Sequence, residues 1–181
     1  MRKTKIFVLI SLIVVVFYFV KMVLKDDIKE IKKAVYSLNQ PLTTIAYIDV
    51  LDNTKAIVFY EHLNGNIEYF GDVRLKKNLF AWKIVGGTSG QTPDDRKLGW
   101  NFSNLTYDFP KYTDLLSGKI IDPEIKDVII GTKNNNEYHA KIIEYNTGER
   151  FWYLITDGEG LPGSTVTGVD DDGNKIEEIT M

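Results

Sequence analysis

Asp170-Asp171-Asp172-Gly173-Asn174 is a run of oxygen donors near the end of the chain. Asp170, Asp172, Asn174 and Glu177 could gather around a weakly held calcium ion. An EF-hand loop, however, wants Gly at its sixth place and a bidentate Glu at its twelfth. Counted from Asp170 those places hold Lys175 and Met181, so the plainer expectation is a tight turn between two terminal strands. Gly86-Gly87-Thr88-Ser89-Gly90 could cradle a phosphate, but it lacks the Lys-Ser/Thr of a P-loop and no helix follows, so it reads as a flexible loop. Nucleophilic catalysis needs a base, and the only histidines are His62 and His139, each within a predicted strand. Ser89, Asp94 and Asp95 share one loop, and no histidine is placed beside them. Asp94/Asp95 and Asp122/Glu124 are carboxylate pairs suited to general acid–base work, though charged turns account for them more simply. No catalytic set and no cofactor is expected. Trp100, Phe102, Tyr107 and Tyr112 cluster around one irregular segment. Exposed, they would offer a stacking platform for sugar rings or a peptide; otherwise they fill a core.

What would position such groups begins with Ile6–Val20, IFVLISLIVVVFYFV, where only Ser11 and Tyr18 carry a polar group. A helix over Ile6–Leu24 would be ~28 Å long at about 1.5 Å per residue, close to the hydrocarbon thickness of a bilayer. In lipid a lone strand would leave its amides unpaired, which forces a helix. Arg2, Lys3 and Lys5 precede the run as in a signal peptide, but no small-x-small cleavage site follows and the first alanine is Ala34. An uncleaved single-pass anchor is expected. The short basic tail favours the C-terminal domain outside the cytoplasm, although Lys21, Lys25, Lys29, Lys32 and Lys33 weigh on the other flank.

Arg2, Lys3, Lys5 and Lys21 put +4 on residues 1–24, so a whole-chain charge of −3 leaves −7 on the remainder. An acidic exterior argues against nucleic acid, which needs a basic face. It argues likewise against direct capture of anionic wall polymers or lipid headgroups, unless a divalent cation bridges them. The chain has no Cys, which removes disulfides, thiolate zinc sites and cysteine nucleophiles.

Lys25–Asn39 repeats Ile28, Ile31, Val35 and Leu38 at helical spacing, with Pro41 to end it. A stalk helix packing on the domain is expected. A coiled coil pairing two anchors would need a longer repeat. After Pro41 the period becomes that of strands. Thr44–Leu51, Lys55–His62, Asn66–Leu75, Leu79–Val85 and Leu98–Ser103 come first. Ile125–Gly131, Glu137–Tyr145, Arg150–Thr156, Thr165–Val169 and Lys175–Ile179 follow. Asn64-Gly65 is the strongest hairpin signal. Gly86–Lys97 reads as a loop and Asn104–Gly118 as irregular, with one helical turn near Tyr112–Ser117. Closely spaced strands without intervening helices predict a mainly β, antiparallel sandwich or barrel-like domain of nine or ten strands. The expected organisation is a tail and anchor over 1–24, a stalk helix over 25–40 and a β domain over 41–181, with a sub-division into two sub-sheets or small domains near 104–120.

The chain carries D-P-E-I-K-D-V at Asp122–Val128, A-K-I-I-E at Ala140–Glu144, G-E-R-F-W-Y at Gly148–Tyr153 and D-D-D-G-N-K-I at Asp170–Ile176. Together with I-V-F-Y, W-K-I-V-G-G and L-G-W-N-F, the chain resembles small membrane-anchored or secreted β proteins of Gram-positive bacteria. The resemblance covers most of 45–178. It implies a fold type and carries no catalytic residues.

Two functions are compatible with these features. One is a non-enzymatic extracytoplasmic module that binds a membrane-protein partner or a cell-envelope component through residues 86–113. The other is an envelope hydrolase using carboxylates with His62 or His139.

Overall fold

The structure, a computed structural model, describes residues 26–41, 43–79 and 81–181. The anchor expected over Ile6–Leu24 lies outside the described residues; among those described, no helix is long and apolar enough to cross a membrane.

The stalk segment forms α1 (Asp27–Tyr36). Asp26 caps it, its Oδ1 accepting from the amides of Ile28 at 3.1 Å and Lys29 at 3.3 Å. Acidic Asp27 and Glu30 in the first turn and Lys33 in the last suit the helix dipole. The helix stops before Pro41: Ser37 Oγ donates back to Ala34 O at 2.6 Å, and Asn39 turns the chain with φ 54°. Ile31 and Val35 are fully buried against the first sheet. The face that would pair two helices is therefore already covered. Ile28 is exposed, because at that end Asp27 meets the sheet, accepting from Trp82 Nε1 at 3.1 Å and from Lys77 Nζ at 2.8 Å.

Strands occupy 54% of the described residues, which makes the fold mainly β. Sheet 1 is the meander β1 (Thr44–Asp52), β2 (Lys55–Asn64), β3 (Ile67–Lys77) and β4 (Trp82–Gln91). Sheet 2 runs in the order β5 (Asn101–Asn104), β6 (Asp114–Ile120), β10 (Glu149–Ile155), β9 (Lys141–Tyr145). Sheet 3 runs β12 (Lys175–Thr180), β11 (Thr165–Val169), β7 (Asp127–Gly131), β8 (Glu137–His139). All pairings are antiparallel.

Side-chain alternation stacks these layers. On β2, Ala56, Val58 and Tyr60 pack beneath α1, while Ile57 and Phe59 join Leu115, Phe151 and Tyr153 of sheet 2. On the far face of sheet 2, Leu116, Ile120 and Trp152 meet Val128, Ile130, Val166 and Ile179 of sheet 3. The order is α1, sheet 1, sheet 2, sheet 3, with an apolar core in each gap. Sheet 2, covered on both sides, holds the stack together. Gly118 permits one close approach within it: a Cβ there would lie 1.8 Å from Gly99 O.

Four expectations are corrected. The sheets are open, with no closed barrel, and they number three. Asn104–Gly118, read as irregular, contains most of β6, every residue of which is buried. Its Asp114 and Lys119 can be buried because their charges are met inside the protein: Asp114 accepts from Asn104 Nδ2 at 2.9 Å and from the Leu161 amide at 2.8 Å, and Lys119 Nζ lies 2.6 Å from Glu61 Oε1. Gly86–Gln91, read as loop, is the second half of β4, paired with β3 from Arg74 to Tyr69. Gly86 serves packing rather than flexibility: a Cβ would fall 2.4 Å from the Arg74 guanidinium and 2.5 Å from the Asp108 carboxylate. Finally, the single strand expected over Glu137–Tyr145 divides at Ala140, whose amide donates to Val128 O at 2.8 Å; β8 belongs to sheet 3 and β9 to sheet 2.

Candidate functional site

On β2 the row Ile57, Phe59 that faces sheet 2 continues to Glu61, and on β6 the row Leu115, Ser117 continues to Lys119. At this end of the gap the apolar core gives way to charge. Lys119 Nζ lies 2.6 Å from Glu61 Oε1, is also bonded to Glu68, and has Glu149 Oε1 at 3.8 Å. The Tyr145 hydroxyl donates to the same Glu61 oxygen. Thr92 Oγ1 donates to Glu68 at 3.3 Å.

Above this cluster opens a groove of about 380 Å³, with Lys119 in its floor and Glu68, Thr92, Asp94, Glu149 and Arg150 among its other lining residues. Arg150 is turned away into the protein, donating to Ile125 O at 2.7 Å and Asp122 O at 3.1 Å. Lys119 is held by Glu61 and Glu68. The groove therefore presents Glu149, Asp94 and the outer part of Glu68 to a ligand and is acidic.

Burial alone would depress the Lys119 ammonium, but the Glu61 and Glu68 carboxylates outweigh it and hold it above its ordinary value. Burial, then the Glu61 carboxylate, pushes the Tyr145 phenol up. Lys119 stays charged and Tyr145 neutral near pH 7, so neither serves as nucleophile or base.

A second polar cluster lies deeper, between β3 and the segment after β5. Arg74 Nε pairs with Asp108 Oδ2 at 3.0 Å, both side chains being 10% exposed. Ser103 Oγ donates to Asp72 Oδ1 at 3.1 Å, and Asp72 Oδ2 is buried without a partner. Burial pushes the Asp72 carboxyl from 3.8 up to about 6, opposed by the Arg74 charge and the Ser103 bond. A folded value above the unfolded one means that this contribution to stability is complete below pH 3.8 and lost as pH rises through about 6. At about 1.4 kcal/mol per pH unit the loss is about 3 kcal/mol. Asp72→Asn removes the titration. In urea unfolding, the variant's stability relative to the parent is expected to rise by about 3 kcal/mol between about pH 4 and about pH 7. Parallel pH curves would show that Asp72 is not the titrating group.

The residues singled out in the sequence do not share one site. Trp100 is half-exposed before β5 and Tyr107 stands 92% exposed after it. Phe102 packs on the core between sheets 2 and 3, whereas Tyr112 packs on the core between sheets 1 and 2. His62 is buried, stacked between Tyr60 and Tyr69 with ring centroids at 5.7 and 5.0 Å, and burial depresses its pKa. His139 is exposed, its Nδ1 2.5 Å from Asp127 Oδ2. Asp170 spends its carboxylate on its own turn, accepting from the amides of Asp172 at 2.9 Å and Asn174 at 2.8 Å, and from Asn174 Nδ2 at 3.0 Å. Glu177 points elsewhere, accepting from the Lys97 amide at 2.6 Å. Among the described residues no group of three or more His, Asp or Glu side chains is arranged to hold a metal ion. Asp122 accepts from the Glu124 amide at 2.8 Å and pairs with Lys97 at 3.0 Å. Of the early candidates only Asp94 lines the groove.

Glu61, Lys119 and Tyr145 escaped the sequence reading. One signal was available: Glu61 follows Ile57-Val58-Phe59-Tyr60 in a strand covered on both faces, where a carboxylate must have a partner.

Fold and groove together define an antiparallel three-sheet stack with a helix on its outer face and an acidic groove at one end. Compared with known proteins, the chain matches no family model and gives no significant match to a curated protein or a solved structure.

Proposed function

We propose that this chain is a membrane-anchored, non-enzymatic module, displayed outside the cytoplasm, that binds a basic segment of an envelope protein in the groove over Lys119. The resemblance to small anchored β proteins of Gram-positive bacteria forms part of this reading. The observation that carries it is the placement of the groove. Glu68, in the groove, and Lys77, beside the first turn of α1, stand at opposite ends of β3. At about 3.3 Å per residue they are roughly 30 Å apart. An anchor preceding α1 would therefore hold the groove away from the bilayer, open to a partner. A surplus of carboxylates over available cations suits lysine or arginine side chains. A hydrolase using carboxylates with His62 or His139 has less support: no hydroxyl is hydrogen-bonded to either ring among the described residues.

The test uses the full-length chain in nanodiscs and a short oligolysine peptide. Addition of the peptide is expected to shift the amide resonances of Thr92, Asp94, Gly148 and Glu149, and to leave those of sheet 3 in place. Asp94→Asn and Glu149→Gln should each weaken binding about two- to fivefold, the worth of a partly exposed ion pair. Shifts spread over the whole acidic surface, or none, would sink the proposal.

A further inference from the structure

We infer that the opposite end of sheet 1, nearest residue 26, rests on anionic lipid headgroups, with Leu79 dipping into the bilayer interface; this rests on the anchor proposed above. Three observations meet there.

The first is a row of lysines across the sheet. Lys55 of β2 pairs in register with Lys76 of β3, and Lys76 with Lys83 of β4. Like charges directly opposed on neighbouring strands destabilise a sheet. Lys55 has a partner in Asp52 at 2.8 Å. Lys76 and Lys83 have no ion-pair partner among the described residues. A protein carrying −7 on residues 25–181 had carboxylates to spare for them. An anionic leaflet supplies the missing countercharge from outside.

The second is the β3–β4 turn. Asn78 N donates to Ala81 O at 3.1 Å, and Ala81 N to Asn78 Oδ1 at 2.9 Å. This closed turn holds Leu79 outward, 73% exposed, between Lys76-Lys77 and Lys83. An apolar tip flanked by lysines is the pattern of a segment seated at a membrane interface, its cations at headgroup level and its side chain beneath.

The third is where the chain goes. Asp27 is fixed to both strands of this hairpin, through Lys77 at 2.7 Å and Trp82 at 3.1 Å. Leu24, which ends the apolar run, is three residues from Asp27, a reach of at most about 11 Å. The anchor and the turn are thus tied to the same point, and a bilayer entered by one lies within reach of the other.

The chain has no Cys, so one introduced thiol can carry a nitroxide. Full-length protein in phosphatidylglycerol–phosphatidylcholine vesicles would be labelled in turn at Leu79→Cys, at Asn66→Cys in the turn at the far end of the sheet, and at Val14→Cys within the apolar run. The Leu79 label is expected to be several-fold less accessible to a water-soluble nickel relaxant than the Asn66 label, and more accessible to oxygen. Lys76→Gln with Lys83→Gln should reduce that difference, as should vesicles of phosphatidylcholine alone. A Leu79 label as open to nickel as the Asn66 label, with the Val14 label buried in lipid, overturns the inference and leaves the anchor standing. A Val14 label in water overturns both. Immersion of Leu79 that ignores both the lysines and the lipid charge overturns the headgroup contact.

Discussion

Lys119→Met is expected to lose about 3–5 kcal/mol of stability, because it strips the countercharge from Glu61 in a largely buried site. The Lys119 side chain is 10% exposed and that of Glu61 11%, so water cannot replace the ammonium. The Tyr145 hydroxyl still donates to Glu61, but one neutral bond does not neutralise a carboxylate with a severed ion pair. The measurement is the urea midpoint near pH 7. A double-mutant cycle supplies the control: Glu61→Gln in the Lys119→Met background removes the stranded charge and should recover a large part of the loss. A single-variant loss below about 1 kcal/mol would mean that the pair is solvated in solution and that the groove floor is wet.

Gly118→Ala is the second large effect. The added Cβ would sit 1.8 Å from Gly99 O, 2.4 Å from Gly99 C and 2.8 Å from Trp100 Cα. All three are backbone atoms, so no side chain can swing aside. Gly99 N also donates to Lys119 O at 2.8 Å, and Trp152 Nε1 to Gly99 O at 3.1 Å. Relief therefore means pulling the 98–100 segment off sheet 2, breaking both bonds and opening the core around Trp152. A loss of more than about 3 kcal/mol is expected, beyond the usual range for one extra methyl in a core. Gly131→Ala is the matched control, since nothing lies within 4 Å of its added Cβ. Equal melting temperatures for the two variants would show that the Gly99–Gly118 approach is not maintained in solution.

The strands most legible in the sequence were those whose surroundings match the local pattern. β2 carries a continuous apolar run because α1 covers one face and sheet 2 the other; β3 alternates, but its polar face is buried at Asp72 and Arg74, which the alternation alone did not convey. The packing of α1 was readable from Ile31 and Val35. What the pattern could not convey is which sheet a strand joins. At Ala140 the chain leaves sheet 3 for sheet 2 without interrupting its alternation, so nothing local marks the passage. Gly86 and Gly118 were ambiguous for another reason: glycine signals either a turn or a close approach, and only the neighbouring strand decides which. The aromatic platform depended on proximity along the chain. Sheet 2 separates Phe102 from Tyr112 by sending them to opposite cores. The groove was hidden because its charges come from distant segments, Glu61 and Glu68 meeting Lys119 and Glu149 only after sheets 1 and 2 have packed.

The order of strands in sheets 2 and 3 bears on how the polypeptide reaches this arrangement. Sheet 1 is a run of neighbouring hairpins and can assemble from a continuous stretch as soon as it is made. Sheet 2 needs β6 to wait for β10, and sheet 3 needs β7 to wait for β11, each spanning a segment that belongs to the other. Neither can close first without trapping the other's strands, so the two must form together, late, through contacts far apart in the chain. Such non-local pairing slows folding by orders of magnitude relative to local hairpins. Until the last strands arrive, the first meander stands built while the edges of β6 and β7 are bare, and that interval is when the chain is most exposed to aggregation or to a protease.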